Sequence, residues 1–165
     1  MKMYVLHVRC NKENQVKDAL EEMGFSVLHP TAEIIIRSKK QRKLQVKSIF
    51  PQYVFVECEM TIENYNLIKS ISGVIRFLGV ENPEPLPDDE KAYITLLNHG
   101  GKAVGASKVK VLKSGVKKVV SGILKKYEDK IVFINLRQRR AGIELELCGK
   151  KHFIILPVAE LENNA

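Results

Sequence analysis

Residues 3–78 switch between a two-residue and a helical hydrophobic period in a set order, and that order most constrains the fold. Met3 to Val8 is rich in β-formers, with Tyr4, Leu6 and Val8 on one face. Asn11 is placed to cap a helix in which Val16, Ala19, Leu20 and Met23 recur at helical spacing, stopped by Gly24. Phe25 to Leu28 and Glu33 to Arg37 read as strands, with Pro30 between them. Gln52 to Glu57 alternates, with Tyr53, Phe55 and Glu57 opposite Val54 and Val56. Thr61 caps a second helix with the apolar face Ile62, Tyr65, Ile68 and Ile71. Gly73 ends it, and Val74 to Leu78 is another strand. The order β-α-β-β-α-β predicts a ferredoxin-like α+β domain. A third helix, starting near Asp88, turns Ile94 and Leu97 inward.

The period is lost between His99 and Ser107, where three glycines fall in a stretch with few large residues. This reads as a flexible linker. It separates a domain at 1–98 from a second at 115–165, with 99–114 as the joint. Charge divides unevenly across it. Residues 1–107 carry 14 Lys+Arg against 13 Asp+Glu, and residues 108–165 carry 13 against 6. Of the net +8, all but one unit therefore belongs to the last third. A basic excess favours a polyanionic partner.

Beyond the linker, Lys117 to Ser121, Lys130 to Asn135, Ile143 to Leu147 and Phe153 to Leu156 are short strands parted by turn residues. Without a helical period, they predict a small all-β barrel. Lys108 to Leu112 is either linker or an added strand.

Several classes are excluded. The apolar runs are too short to span a bilayer, and Arg9, Lys12 and Glu13 interrupt any leader-like segment. Cys10, Cys58 and Cys148 are too scattered for a disulfide framework or a zinc pair, and suit free thiols in a reducing cytoplasm. His7, His29, His99 and His152 form no ligand spacing, and neither paired carboxylates nor a P-loop is present. No catalytic residue, metal or cofactor is expected, and an enzyme is disfavoured.

Three features point to binding. Arg37, Lys39, Lys40, Arg42, Lys43 and Lys47 make a basic stretch too polar to pack, which should project as a hairpin or loop. Such a tip either guards a sheet edge or contacts phosphates. In Phe50-Pro51-Gln52-Tyr53-Val54-Phe55-Val56, Pro51 belongs at a strand start. With Val54 and Val56 as core, Tyr53 and Phe55 are left on an open face. In the barrel, Lys117, Lys118, Lys125, Lys126, Lys130, Lys150 and Lys151 surround Arg137-Gln138-Arg139-Arg140. Three guanidiniums in one short turn repel one another unless an anion meets them. A structured RNA fits better than duplex DNA, because no recognition helix is available.

The β1-like run Tyr4 to Val8, the Phe50 to Val56 run, Gly73-Val74-Ile75-Arg76-Phe77-Leu78-Gly79 and Pro85-Leu86-Pro87 resemble, in order and spacing, the NusG N-terminal (NGN) domain. Gly122-Ile123-Leu124-Lys125-Lys126-Tyr127-Glu128-Asp129 resembles the family's KOW motif, with two glycines replaced by Lys126 and Asp129. Asp129 is expected to keep a left-handed turn there. The resemblance implies a transcription elongation factor whose N-terminal domain docks on the clamp of the largest RNA polymerase subunit. By position, the docking patch draws on His7, Phe50, Pro51, Tyr53, Phe55, Ile94 and Leu97. Arg9, Lys12 and Arg76 fall where relatives meet upstream or non-template DNA. The projecting Arg37, Lys39, Lys40, Arg42 and Lys43 are assigned to the same DNA. The basic barrel favours a specialised antiterminator of the LoaP kind, holding a nascent RNA hairpin, monomeric and cytoplasmic. The alternative within the family is a housekeeping factor coupling transcription to ribosomal protein or Rho. A reading from another class is an RNA-binding protein with an RRM-like domain and a KOW barrel, with Tyr53 and Phe55 as stacking aromatics.

Overall fold

The structure, a computed structural model, describes residues 1–37, 41–79 and 81–161. The strands are β1 (Lys2–Val8), β2 (Ser26–Leu28), β3 (Thr31–Arg37), β4 (Arg42–Ser48), β5 (Tyr53–Cys58), β6 (Val74–Phe77), β7 (Ser107–Val111), β8 (Lys117–Ser121), β9 (Ile131–Asn135), β10 (Arg140–Leu147) and β11 (Lys150–Glu160). The α-helices are α1 (Glu13–Glu22), α2 (Ile62–Lys69) and α3 (Asp88–Asn98). The chain divides into two compact units. One is Met1–Pro30, Phe50–Gly101 and Leu147–Lys150; the other is Thr31–Ile49, Lys102–Glu146 and Lys151–Ala165.

The first unit is built on a four-stranded sheet in the order β2-β5-β1-β6. With α1 after β1 and α2 after β5, this is the expected ferredoxin-like βαββαβ arrangement. Antiparallel pairing puts Tyr4 opposite Val56 and Leu6 opposite Val54. These residues form a core with Val16 and Leu20 of α1 and Ile68 of α2. Burying those side chains contributes roughly 1.5–3 kcal/mol each. The other sheet face is buried as well, at Met3, Val5 and Phe55, as are Ile94 and Leu97 of α3.

The helix starts follow different rules. Thr61 caps α2, its Oγ1 accepting the Asn64 backbone N–H at 3.1 Å. Asn11, expected as the cap of α1, instead takes a left-handed conformation at φ 62°, and α1 begins after Lys12 without a side-chain cap. Ile62 at the first turn of α2 is exposed rather than part of the apolar face.

In the second unit, β3 and β4 pair antiparallel from Thr31↔Ser48 to Arg37↔Arg42. Val104 anchors the base of this hairpin, its N–H donating to the Thr31 carbonyl and its carbonyl accepting from Glu33, both at 2.8 Å. A five-stranded sheet in the order β8-β7-β11-β10-β9 forms the all-β domain. Ser107 to Val111, within the expected linker, is strand β7, parallel to β11 and antiparallel to β8. The last strand runs on through Pro157 rather than ending before it.

Ile123–Lys130 folds as a 3-10 segment that buries Leu124 and Tyr127. Neither Lys126 nor Asp129 has positive φ, so the left-handed role expected of Asp129 is not used. The helical turn itself removes the need for glycine at those two positions. Gly122 is different. Its φ is 101°, and a Cβ there would come within 2.6 Å of the Ser107 Cα.

Candidate nucleic-acid and docking surfaces

Phe50 to Tyr53 forms a tight turn closed by the Tyr53 N–H donating to the Phe50 carbonyl at 3.1 Å. Pro51 takes the second position and Gln52 the third, at φ 70°, as a type II turn requires. Three hydrogen bonds hold Gln52. Its carbonyl accepts from Val8 at 2.8 Å, its N–H donates to Glu13 Oε1 at 3.3 Å, and its side-chain Oε1 lies 3.2 Å from His7 Nε2. The His7 ring stacks on Tyr53, centroids 5.4 Å apart and planes at 25°. His7, Pro51, Gln52 and Tyr53 therefore form a pre-organised surface edge.

The remaining expected docking residues lie beneath the surface. Phe55 is fully buried, which corrects its placement on an open face; Ile94 and Leu97 face inward as expected and Phe50 is nearly buried, so none of the four offers an exposed docking side chain. Alternation identifies which residues share a face, but the sheet is covered on both faces, and Phe50 packs edge-on against Phe55 at 5.4 Å. Phe55 therefore offers no ring for base stacking, which removes half of the RRM-like reading. Gln52 joins the edge without any sequence signal of its own, because nothing in the residue type announces its positive φ.

Arg76 faces His7 across β1 and β6 and is exposed, as are Arg9 and Lys12. Arg42 and Lys43 are exposed on β4 and belong to the second unit, which divides the expected DNA-contacting set. Lys39 and Lys40 lie outside the described residues, and so does the side chain of Arg37.

Within the second unit, the turn between β9 and β10 is built by Asn135. Its Oδ1 accepts the Gln138 N–H at 3.0 Å, and the Arg139 N–H donates to the Leu136 carbonyl at 3.2 Å. Arg139 closes the turn at φ 57°. Arg137, Gln138, Arg139 and Arg140 then line a cleft of about 280 Å³ together with Ile35, Ile36 and Arg42 of the hairpin. Among the described residues, four arginines and no carboxylate line it, which suits bidentate binding of phosphate.

Three of the lysines have partners within the all-β unit. Lys117 Nζ donates to the Ile134 carbonyl at 2.8 Å, Lys125 pairs with Glu128 at 3.6 Å, and Lys151 pairs with Glu144 at 3.6 Å. Lys118, Lys126 and Lys150 are exposed, and Lys130 is half-buried. Among the described residues, no group of His, Cys, Asp or Glu is arranged to hold a metal. No helix there is long and apolar enough to cross a membrane. All three cysteines are free thiols. Cys10 is exposed, Cys148 is partly covered, and burial raises the pKa of Cys58.

The chain thus joins a ferredoxin-like α+β unit, carrying the His7–Tyr53 edge, to a basic five-stranded all-β sheet. A family model described as transcription termination factor nusG matches residues 1–95, and the chain belongs to the NusG family. It is 26% identical over 153 residues to the transcription termination/antitermination protein NusG of Vibrio cholerae, covering 92% of this chain and 84% of that protein. It is 24% identical to NusG of Helicobacter pylori strain J99, covering 98% of each. The fold is similar to that of a solved structure of Thermotoga maritima NusG, with TM-score 0.56, 24% identity, and coverage of 99% of this chain and 97% of that one.

Proposed function

We propose that this chain is a cytoplasmic elongation and antitermination factor that rides on RNA polymerase and holds a nascent RNA hairpin through its barrel. The arginine-lined cleft carries this reading: Arg42, Arg137, Arg139 and Arg140 line it, and no carboxylate is among its described lining residues. The edge of His7, Pro51, Gln52 and Tyr53 docks on the polymerase clamp, with Phe50, Phe55, Ile94 and Leu97 as its buried support. Arg9, Lys12 and Arg76 approach upstream or non-template DNA. Two modest contacts in one chain raise each other's effective concentration, which favours processive elongation. The concentration of basic charge in the barrel supports a specialised antiterminator over a housekeeping factor that couples to ribosomal protein or Rho.

The test is elongation by purified polymerase on templates with and without a leader hairpin. Read-through of a terminator should rise only with the hairpin present. Charge reversal at Arg137, Arg139 and Arg140 should abolish the hairpin-dependent gain. It should also flatten the salt dependence of RNA binding, by about 0.9 in log–log slope for each duplex phosphate no longer neutralised. Unchanged RNA affinity in that variant at moderate salt would sink the proposal.

A further inference from the structure

Phe133 of β9 and Phe153 of β11 stack on each other across the intervening strand β10, with ring centroids 5.9 Å apart and planes at 29°. Both remain exposed, at 38% and 55%. This is an unusual place for two phenylalanines, since a small barrel ordinarily buries its aromatics, as it does Tyr127.

Two local features build the pair. The first is Gly142, directly opposite Phe133 in the β9–β10 register. A Cβ at Gly142 would come within 2.5 Å of the Phe133 ring and 2.6 Å of the Phe153 ring, so only glycine lets both rings lie flat over β10. The second is a bulge. Gly142 pairs with Phe133 and Ile143 pairs with Ile131, which leaves Val132 as the extra residue. A bulge re-aims the side chains beside it, and here Val132 and Phe133 are both exposed.

The charge beside the platform is graded. On the outward side of β10, Arg140 stands two residues before Gly142, about 7 Å along the strand. Glu144 stands two residues after Gly142 and is offset by Lys151 at 3.6 Å. Arg140 also lines the arginine cleft. The aromatic face therefore adjoins the arginine-lined cleft through Arg140.

We propose that Phe133 and Phe153 form a stacking platform for an unpaired base of the RNA whose backbone occupies the arginine cleft. This rests on the reading that the barrel binds RNA, and adds that the bound element has a flipped-out or loop nucleotide. A flat aromatic face beside a guanidinium matches the combination of π-face and phosphate that a single unstacked nucleotide presents.

The test uses the full chain and two probes: a single-stranded RNA of about a dozen nucleotides carrying one 2-aminopurine, and a fully paired RNA duplex. The single strand should bind with quenching of the 2-aminopurine. Phe153→Ala and Phe133→Ala should each weaken it by about tenfold, relieve the quenching, and leave the salt slope unchanged. Phe153→Tyr should restore both affinity and quenching. Duplex binding should respond to Arg139→Glu and not to the aromatic variants. Thermal melting checks that the exposed-ring variants stay folded. If the alanine variants bind within twofold of wild type while Arg139→Glu has lost binding, the platform idea is overturned and the RNA reading stands. The pair is then an apolar patch for a protein partner. If wild type binds neither probe, the RNA reading itself fails and takes the platform with it.

Discussion

The imidazole of His7 stacks on the ring of Tyr53 while its Nε2 lies 3.2 Å from Oε1 of Gln52. Residues far apart in the chain are thus locked into one surface edge. An aromatic ring held by a second ring and a hydrogen bond loses little entropy on docking, which makes it a good anchor for a partner. Tyr53→Ala should weaken association with RNA polymerase by about 2 kcal/mol, roughly thirtyfold, without lowering the melting temperature much. Surface plasmon resonance with immobilised polymerase would measure it. A change below twofold would remove this edge from the docking surface.

Burial lowers the pKa of His29 from its ordinary value near 6.5. The Glu13 carboxylate opposes the shift and the Lys17 ammonium reinforces it. The folded protein keeps His29 neutral where the unfolded chain begins to take a proton. Its contribution to stability is full above the unfolded value and is lost as pH falls through the lowered folded value. Urea unfolding across about pH 5 to 8, where histidine titrates, should show stability declining towards the acid side. His29→Gln should flatten that decline. An identical slope in the variant would exclude His29 as its source.

Gly122 sits at φ 101° against β7, where a Cβ would come within 2.6 Å of the Ser107 Cα. Ser107 is fully buried, and its Oγ accepts the Leu124 N–H at 3.0 Å. Gly122→Ala therefore adds left-handed strain and a clash with backbone that has no room to move. It should cost the barrel about 2–3 kcal/mol, seen as earlier loss of strand signal in denaturant unfolding. Gly149→Ala is the control, since a Cβ there meets nothing within 4 Å and only its positive φ is strained.

Much of the proposed binding chemistry is legible in local composition. The Arg137–Arg140 turn stands out because three guanidiniums in a short segment have few structural uses, and the cleft they line has the expected charge. The proposed docking patch is half legible. His7 and Tyr53 share an edge as expected, but Phe50, Phe55, Ile94 and Leu97 are buried. Face-sharing follows from the two-residue pleat, whereas coverage of a face depends on what packs over it from elsewhere in the chain. Phe133 and Phe153 carry no signal at all. Strict alternation in β9 gives no hint of a bulge, and Gly142 becomes meaningful only when β9, β10 and β11 lie side by side.

The ferredoxin-like and all-β classes, and the concentration of positive charge in the last third of the chain, can be read from the residues alone. These depend on periodicity and turn residues, which act within a few positions along the chain. Tertiary structure decided the rest. It covered both faces of the first sheet, it recruited residues of the expected linker as β7, and it brought Arg42 beside Arg137, Arg139 and Arg140. The hairpin bearing Arg42 is anchored through Val104, which bonds back to Thr31 and Glu33 far upstream. A contact at that separation leaves no periodic trace in the sequence, because only the folded chain brings the two segments together.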